Sequence, residues 1–357
     1  FSTFQPQHPE QKAQERKAKA YHIERLLLKR TGLQLDTELK VFDVPILFQG
    51  EDHYLHTYLC GEQNKRTLVL LHGYGGSSTL FYAVLKDLSE KYKVYCVDLL
   101  GMGLSSKLDF PCKTTEETIE YFVESLEKWR EAMSITEFEL GGLSFGGYIS
   151  THYAIKYQER VTKLFLISPA GMTKGGETIS ETEARARDLP WVQRFKLNLK
   201  IKAWNDLTSP ADYYNRYWFL ANFMIRSDMH RKFGEKGKES EFAELLYKFV
   251  TRMLRMGSGS DRAVYYLLKS PKAYAHIPLE DLIMEHLKIP VRCYYGDRDW
   301  MDPVGAFRVQ EAEICDFKVK IIENSGHNIS MNNPSMLCQE MLLEANINKS
   351  SSSRISV

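Results

Sequence analysis

The 357-residue chain has no hydrophobic run approaching the ~20 apolar residues of a membrane-spanning helix. It has almost no net charge: 47 Lys and Arg stand against 46 Asp and Glu, a formal +1. No global field therefore draws it to nucleic acid, and none is expected as a partner. Its six cysteines, Cys60, Cys96, Cys112, Cys293, Cys315 and Cys338, include no C-x-x-C pair. Cys96 and Cys293 sit in strand-like apolar runs, where a thiol is a small buried hydrophobe. We read a reducing compartment and no metal site. Internal repeats are absent, and so is any Gly-Lys-Ser/Thr phosphate cradle. The Gly73, Gly75 and Gly76 cluster does not fit G-x-G-x-x-G.

What is present is an alternation. Residues 9 to 31 read as a charged helix with Ile23, Leu26 and Leu27 facing inward and Gly32 as C-terminal cap. "DVPILFQ" and "HYLHTYLC" look like a leading antiparallel pair. "RTLVLLHG", "KVYCVDLLG", "FELGGLS", "KLFLISPAG", "IPVRCYYGD" and "VKIIENSGH" are short apolar runs separated by helical segments, the pattern of a parallel sheet covered on both faces. The alternation breaks at 171–275, which is helical in pattern. Between 191 and 260 this stretch carries 13 Lys or Arg against 7 Asp or Glu, with 13 aromatics. We read a cap inserted after the sixth strand of the series. The expected organisation is an N-terminal helical extension at 1–35, an α/β core at 36–170 and 276–345, the cap at 171–275 and a disordered tail at 346–357.

Gly142-Leu143-Ser144-Phe145-Gly146 is G-x-S-x-G between an apparent strand and an apparent helix. That context is a nucleophile elbow, a sharp turn in which flanking glycines avoid clashes and the serine is left strained and exposed. A serine needs an adjacent base. The chain order for such a fold is Ser, acid, His, and only His327 follows an apparent last strand. His152 falls in the helix after the elbow; His230, His276 and His286 fall in the cap or a surface helix. "YYGDRDWMDP" offers Asp297, Asp299 and Asp302 as the acid; Asp299 has the usual loop position and is favoured over Asp302. One oxyanion donor is expected from the backbone N–H of Phe145, at the positive end of its helix. The other is expected from the Tyr74 N–H, with His72 in a structural hydrogen-bonding role.

With these residues placed, "LVLLHGYGGSS", "VYCVDLLGMGLSS", "FVESLEKWREAMSI", "GGLSFGGYIS", "YYGDRDWMDPVGA" and "GHNISMNNP" resemble one group. It is the α/β-hydrolase subfamily of lipase-coactivator and lysophospholipid acyltransferase-like proteins, which includes N-acyl-phospholipid lipases and a mitochondrial cardiolipin deacylase. The resemblance runs from about residue 20 to 345 and implies an α/β-hydrolase fold with an inserted helical cap. It implies Ser144 as nucleophile, Asp299 as acid and His327 as base, no metal or organic cofactor, and a phospholipid or lysophospholipid substrate. The elbow opens Gly-Leu where the group commonly has Gly-His. The group's H-x4-D acyltransferase signature ends here in Asn332, which favours water over a lysolipid as acyl acceptor. The basic, aromatic cap fits a peripheral membrane surface. Phe1-Ser2-Thr3 resembles the mature end of an imported mitochondrial protein, so a mitochondrial, membrane-peripheral location is expected, with the cytoplasmic face of membranes or a lipid droplet as alternative. Two rival functions follow: a lysophospholipid acyltransferase, and a non-catalytic accessory subunit or lipid-dependent binding partner that retains the fold.

Overall fold

The structure, a computed structural model, describes residues 9–233, 238–257 and 259–351. Eight strands form one sheet in the order β1-β2-β4-β3-β5-β6-β7-β8. β1 (Leu39–Phe48) and β2 (Glu51–Cys60) pair antiparallel. Gln49 and Gly50 join them with φ of 52° and 84°. Two left-handed residues in a two-residue loop make the type I′ turn that matches strand twist. β2 adds antiparallel to β4 (Lys93–Val97). From there β3 (Thr67–Leu71), β5 (Phe138–Leu143), β6 (Val161–Ile167), β7 (Val291–Gly296) and β8 (Phe317–Ile322) run parallel.

Every residue of β5 and β7 is buried, and the edge strand β8 is half exposed. Helices on both faces cause the continuous apolar runs. Thr115–Ala132 and Phe145–Lys156 cover one face, where Trp129, Phe122, Tyr153 and Ile149 enter the core. Pro334–Ser351 covers the other with Leu337 and Met341. β4 lies to one side of β3 and β5 to the other. The chain thus changes direction across the sheet at β3, and in open α/β sheets ligands bind beyond the strand C-termini at such a switch point.

Between β6 and β7 the chain forms the helices Ile179–Ala186, Trp191–Asn205, Pro210–Arg216, Trp218–Phe233 and Lys238–Arg255. Two starts are written in the sequence as capping boxes, Thr178 with Glu181 and Ser209 with Asp212. Near the end of the chain the helix Pro334–Ser351 runs through the first residues of the expected tail. Residues 1–8 and 352–357, the outer ends of the extension and tail, lie outside the described residues.

The N-terminal helix Pro9–Leu28 ends through a short 3-10 turn at Gly32, whose φ of 77° is the left-handed cap expected there. Its Leu27 is buried, with Phe242, Leu246 and Phe249 of the cap in the same cluster. Ile23 and Leu26 are only half buried. Glu24 is fully buried instead, beside His56 (3.1 Å) and the Tyr58 hydroxyl. His56 also reaches Asp43 (2.7 Å), which accepts from Tyr21 (2.8 Å) and pairs with Lys17 (3.1 Å). An ionic cluster therefore ties this helix to the sheet.

Candidate active site

Ser144 stands between β5 and the helix Phe145–Lys156 with φ 55° and ψ −113°, a conformation that side chains rarely adopt. Its own N–H donates to Ile167 O (2.9 Å), and its carbonyl accepts from Ala170 N–H (3.0 Å). The strained turn is therefore clamped to the end of β6. Its glycines are sterically required. A Cβ on Gly142 would lie 2.3 Å from Gly146 O, and one on Gly146 would lie 2.3 Å from Leu71 O. The elbow helix can fold back this closely on β5 only with hydrogen at Gly142, and can pack on β3 only with hydrogen at Gly146.

That close approach builds the rest of the site. Leu71 of β3 is in register with Gly142 of β5, so the loop after β3 arrives beside Ser144. A Cβ on Gly73 would be 3.3 Å from Ser144 Cβ. Gly73 to Gly76 close a turn (Gly76 N–H to Gly73 O, 3.1 Å) with Gly75 left-handed at its third position, φ 66°. Tyr74, second in the turn, keeps its N–H outside the turn's own bond. The Phe145 N–H opens a helix, where no carbonyl of the preceding turn is available. His72 is buried: Leu99 N–H donates to Nε2 (3.0 Å), so Nδ1 carries the proton and donates to Gly73 O (2.8 Å). Burial holds its pKa down, and the neutral ring braces the β3 and β4 loops.

The three acids after β7 have separate partners. Asp297 accepts from Ser325 N–H (2.8 Å) and braces the loop ahead of His327. Asp302 accepts from Val304 N–H (3.0 Å) at a helix start. Asp299 alone of the three reaches an imidazole: Oδ1 accepts from His327 Nδ1 (3.0 Å) and from Met301 N–H (3.1 Å). Burial works to raise the Asp299 pKa, but the hydrogen bond and charge of His327 outweigh it and hold the carboxyl below its ordinary value. His152 is half-buried in the elbow helix, where desolvation of the ring pushes its pKa down to about 4, a neutral packed ring. His230 lies in the cap, 3.4 Å from Glu244.

Ser144, Phe145, Tyr74 and His327 line one cavity of about 430 Å³, completed by apolar groups that include Trp204, Val264, Leu268 and Met301. Two features of this neighbourhood were not read from the sequence. Trp300 packs on His327, ring centroids 5.1 Å apart, and forms part of the cavity wall; its position next to Asp299 was the available signal. Asn332, at the end of the H-x4 spacing, accepts from Gly326 N–H (3.1 Å) and so supports the loop that carries His327. Among the described residues no group of three or more His, Cys, Asp or Glu side chains could hold a metal ion. No helix among them is long and apolar enough to cross a membrane.

The chain is similar to a 1-acylglycerol-3-phosphate O-acyltransferase of Arabidopsis thaliana, 29% identical over 294 residues, covering 80% of this chain and 68% of that protein. It is also similar to the (lyso)-N-acylphosphatidylethanolamine lipase of Homo sapiens, 28% identical over 279 residues, 76% of this chain and 77% of the other. Its fold matches the crystal structure of a carboxylesterase from Bacillus subtilis with a TM-score of 0.63 at 18% identity, over 92% of this chain and 97% of that one. The family model for the alpha/beta hydrolase fold matches residues 66–334, which span β3 to the start of the last helix, and the chain belongs to that family.

Proposed function

We propose that the protein is a serine acyl hydrolase of phospholipids or lysophospholipids. The observation that carries this reading is the Asp299–His327 hydrogen bond, with His327 opening into the same apolar cavity as the strained Ser144. Ser144 Oγ attacks the ester carbonyl while His327 Nε2 takes its proton. Asp299 keeps the proton on Nδ1 and stabilises the imidazolium without taking a proton itself. The N–H groups of Phe145 and Tyr74 receive the oxyanion. The tetrahedral intermediate expels the alcohol, which takes the proton from His327. Water, deprotonated by the same imidazole, then releases the fatty acid and restores the serine.

The lipid class is supported by the names of the two relatives and by the apolar cavity. The outer surface of the cap supports it too. Trp191, Phe195 and Leu199 recur every four residues along one helix and are 74%, 61% and 44% exposed. On the helix Trp218–Phe233, Trp218, Phe219, Leu220 and Phe223 are 57%, 77%, 52% and 71% exposed. Apolar groups this large are not left to water without a use. Exposed Arg187, Arg194, Lys200 and Arg216 accompany them, and each cation near an anionic leaflet adds about 1 kcal/mol. Lys200 and Trp204 of the first helix also line the Ser144 cavity, so this surface adjoins the site.

A second reading, acyl transfer to a lysophospholipid, draws on the relative named as an acyltransferase. The hydrogen bond from Gly326 gives Asn332 a bracing role at the signature position, and water remains the acceptor in our reading. Vesicles of acyl-labelled phospholipid with excess lysophospholipid test both. Labelled free fatty acid as the main product supports hydrolysis; label moved mainly to the lysophospholipid overturns it.

A further inference from the structure

A second cavity, of about 680 Å³, is larger than the one around Ser144. It lies between the core loops after β3 and β4 and the cap helices Trp218–Phe233 and Lys238–Arg255. The two cavities meet at Pro210, which lines both, and at the turn after β3. Tyr74 lines the first cavity; Gly75 and Gly76 line the second. The partition is fixed by the Tyr74 hydroxyl, which donates to the Asp261 carbonyl (2.8 Å).

The walls have two characters. Met102, Met224, Met229 and Met253, with Phe223 and Leu254, make an apolar and adaptable lining. Into the same space face an ammonium and a carboxylate. Lys107 is surrounded by protein yet keeps surface there, and burial pushes its pKa down. Its Nζ donates to Gly101 O (2.9 Å). An ammonium has three donors, and the described residues supply an acceptor for this one only. Asp261 is 8% exposed, its side chain accepts no hydrogen bond from the described residues, and burial pushes its pKa up. Lys107 and Asp261 make no direct ion pair. A half-buried ammonium and a buried carboxylate, opposite in charge and incompletely satisfied beside an apolar wall, carry a cost that a ligand with matching groups would remove. Asp228, a further carboxylate on this wall, already has a partner.

We propose that this cavity receives the non-scissile half of the phospholipid: the second acyl chain along the methionine wall, the phosphate on Lys107, and a head-group hydroxyl or ammonium on Asp261. The proposal rests on the reading that Ser144 cleaves a phospholipid ester. That ester at Ser144 leaves the glycerol backbone at the partition, with one chain in the smaller cavity and the rest of the molecule across the Gly75–Gly76 turn. The single ammonium selects a phosphate-bearing lipid over a neutral glyceride.

The test uses the full chain and two variants, Lys107→Met and Leu254→Trp, each checked by thermal melting. One substrate is p-nitrophenyl butyrate, which needs only the Ser144 cavity; the other is a diacyl phospholipid in mixed micelles. We expect both variants to keep butyrate hydrolysis within about twofold and to lose at least tenfold in kcat/KM on the phospholipid, chiefly through KM. Lys107→Met should spare a diacylglycerol that Leu254→Trp does not. Equal losses on all substrates, or none, overturn the proposal. Binding of a fluorescent dialkyl ether phospholipid separates this from the parent reading. Weaker binding in both variants, with a wild type that hydrolyses neither ester, removes the hydrolase function and leaves the cavity assignment standing. Unchanged binding in folded variants removes the cavity assignment.

Discussion

Replacing the three acids after β7 one at a time separates a catalytic carboxylate from two that support loops. The Asp299 side chain is almost fully buried, 2% exposed, and its Oδ1 serves both His327 Nδ1 and Met301 N–H. In Asp299→Asn the amide has two choices. With its NH2 toward Nδ1 it forces the imidazole into the wrong tautomer, leaving Nε2 unable to accept the serine proton. With its oxygen there it keeps the geometry and offers the imidazolium no charge. Loss of a triad carboxylate in this way costs on the order of 10⁴ in turnover, about 5.5 kcal/mol of barrier at 1.36 kcal/mol per tenfold. Asp297→Asn keeps an oxygen for Ser325 N–H, and Asp302→Asn keeps one for Val304 N–H. Both should stay within about tenfold of wild type. The assay is kcat on a chromogenic short-chain ester, with melting temperatures to confirm folding. A severe loss at Asp302 with a near-normal Asp299 variant would refute the assignment.

Gly146→Ala would place a methyl 2.3 Å from Leu71 O and 2.6 Å from His72 O. We expect a loss of about 1–3 kcal/mol in denaturant unfolding and a fall of about 10² in kcat from the displaced serine; an unchanged rate would show that the elbow tolerates the shift. Burial alone would lower the His56 pKa, but the Glu24 charge and the hydrogen bonds of Asp43 and Glu24 raise it to about 10. The native state then holds a proton that the unfolded chain releases near 6.5, so this contribution is full below pH 6.5 and is lost as pH rises toward 10. Glu24→Gln should cost about 3–5 kcal/mol at neutral pH and flatten that slope, and a slope equal to that of wild type would contradict the cluster's role. Phe195→Asp with Phe219→Asp should weaken binding to anionic vesicles at least tenfold while sparing short-ester hydrolysis; unchanged flotation would remove the cap surface from membrane docking.

The strand runs were legible because a parallel sheet buried on both faces needs unbroken apolar segments, and β3 to β7 are such segments. The elbow was legible because its two glycines answer a steric demand that no other residue meets. The choice among Asp297, Asp299 and Asp302 was legible only as a loop-position preference, since the deciding distance runs to a residue 28 positions away. Glu24 and His56 were invisible for the same reason: each is an ordinary polar residue in its own segment, and only the docking of the helix on the sheet buries them together. The cap aromatics were legible as a composition but not in the direction they face. Composition suits a packed interior and an exposed apolar surface alike; Trp191, Phe195 and Phe219 are largely exposed, and nothing in a local pattern separates a core stripe from one that faces outward. The bracing role of Asn332 depends on a backbone N–H six residues back and has no sequence signature.

The central claim is that Ser144 is a nucleophile activated by His327. Incubation of the full chain with a fluorophosphonate probe, followed by peptide mass spectrometry, tests it most directly. The account predicts a single phosphonylated residue, Ser144, in wild type. It predicts no adduct in Ser144→Ala, labelling slowed by at least 10² in His327→Ala, and a melting temperature for Ser144→Ala close to that of wild type. Wild-type protein that stays unlabelled while folded, or a Ser144→Ala variant that is labelled and hydrolyses ester at the wild-type rate, would contradict it.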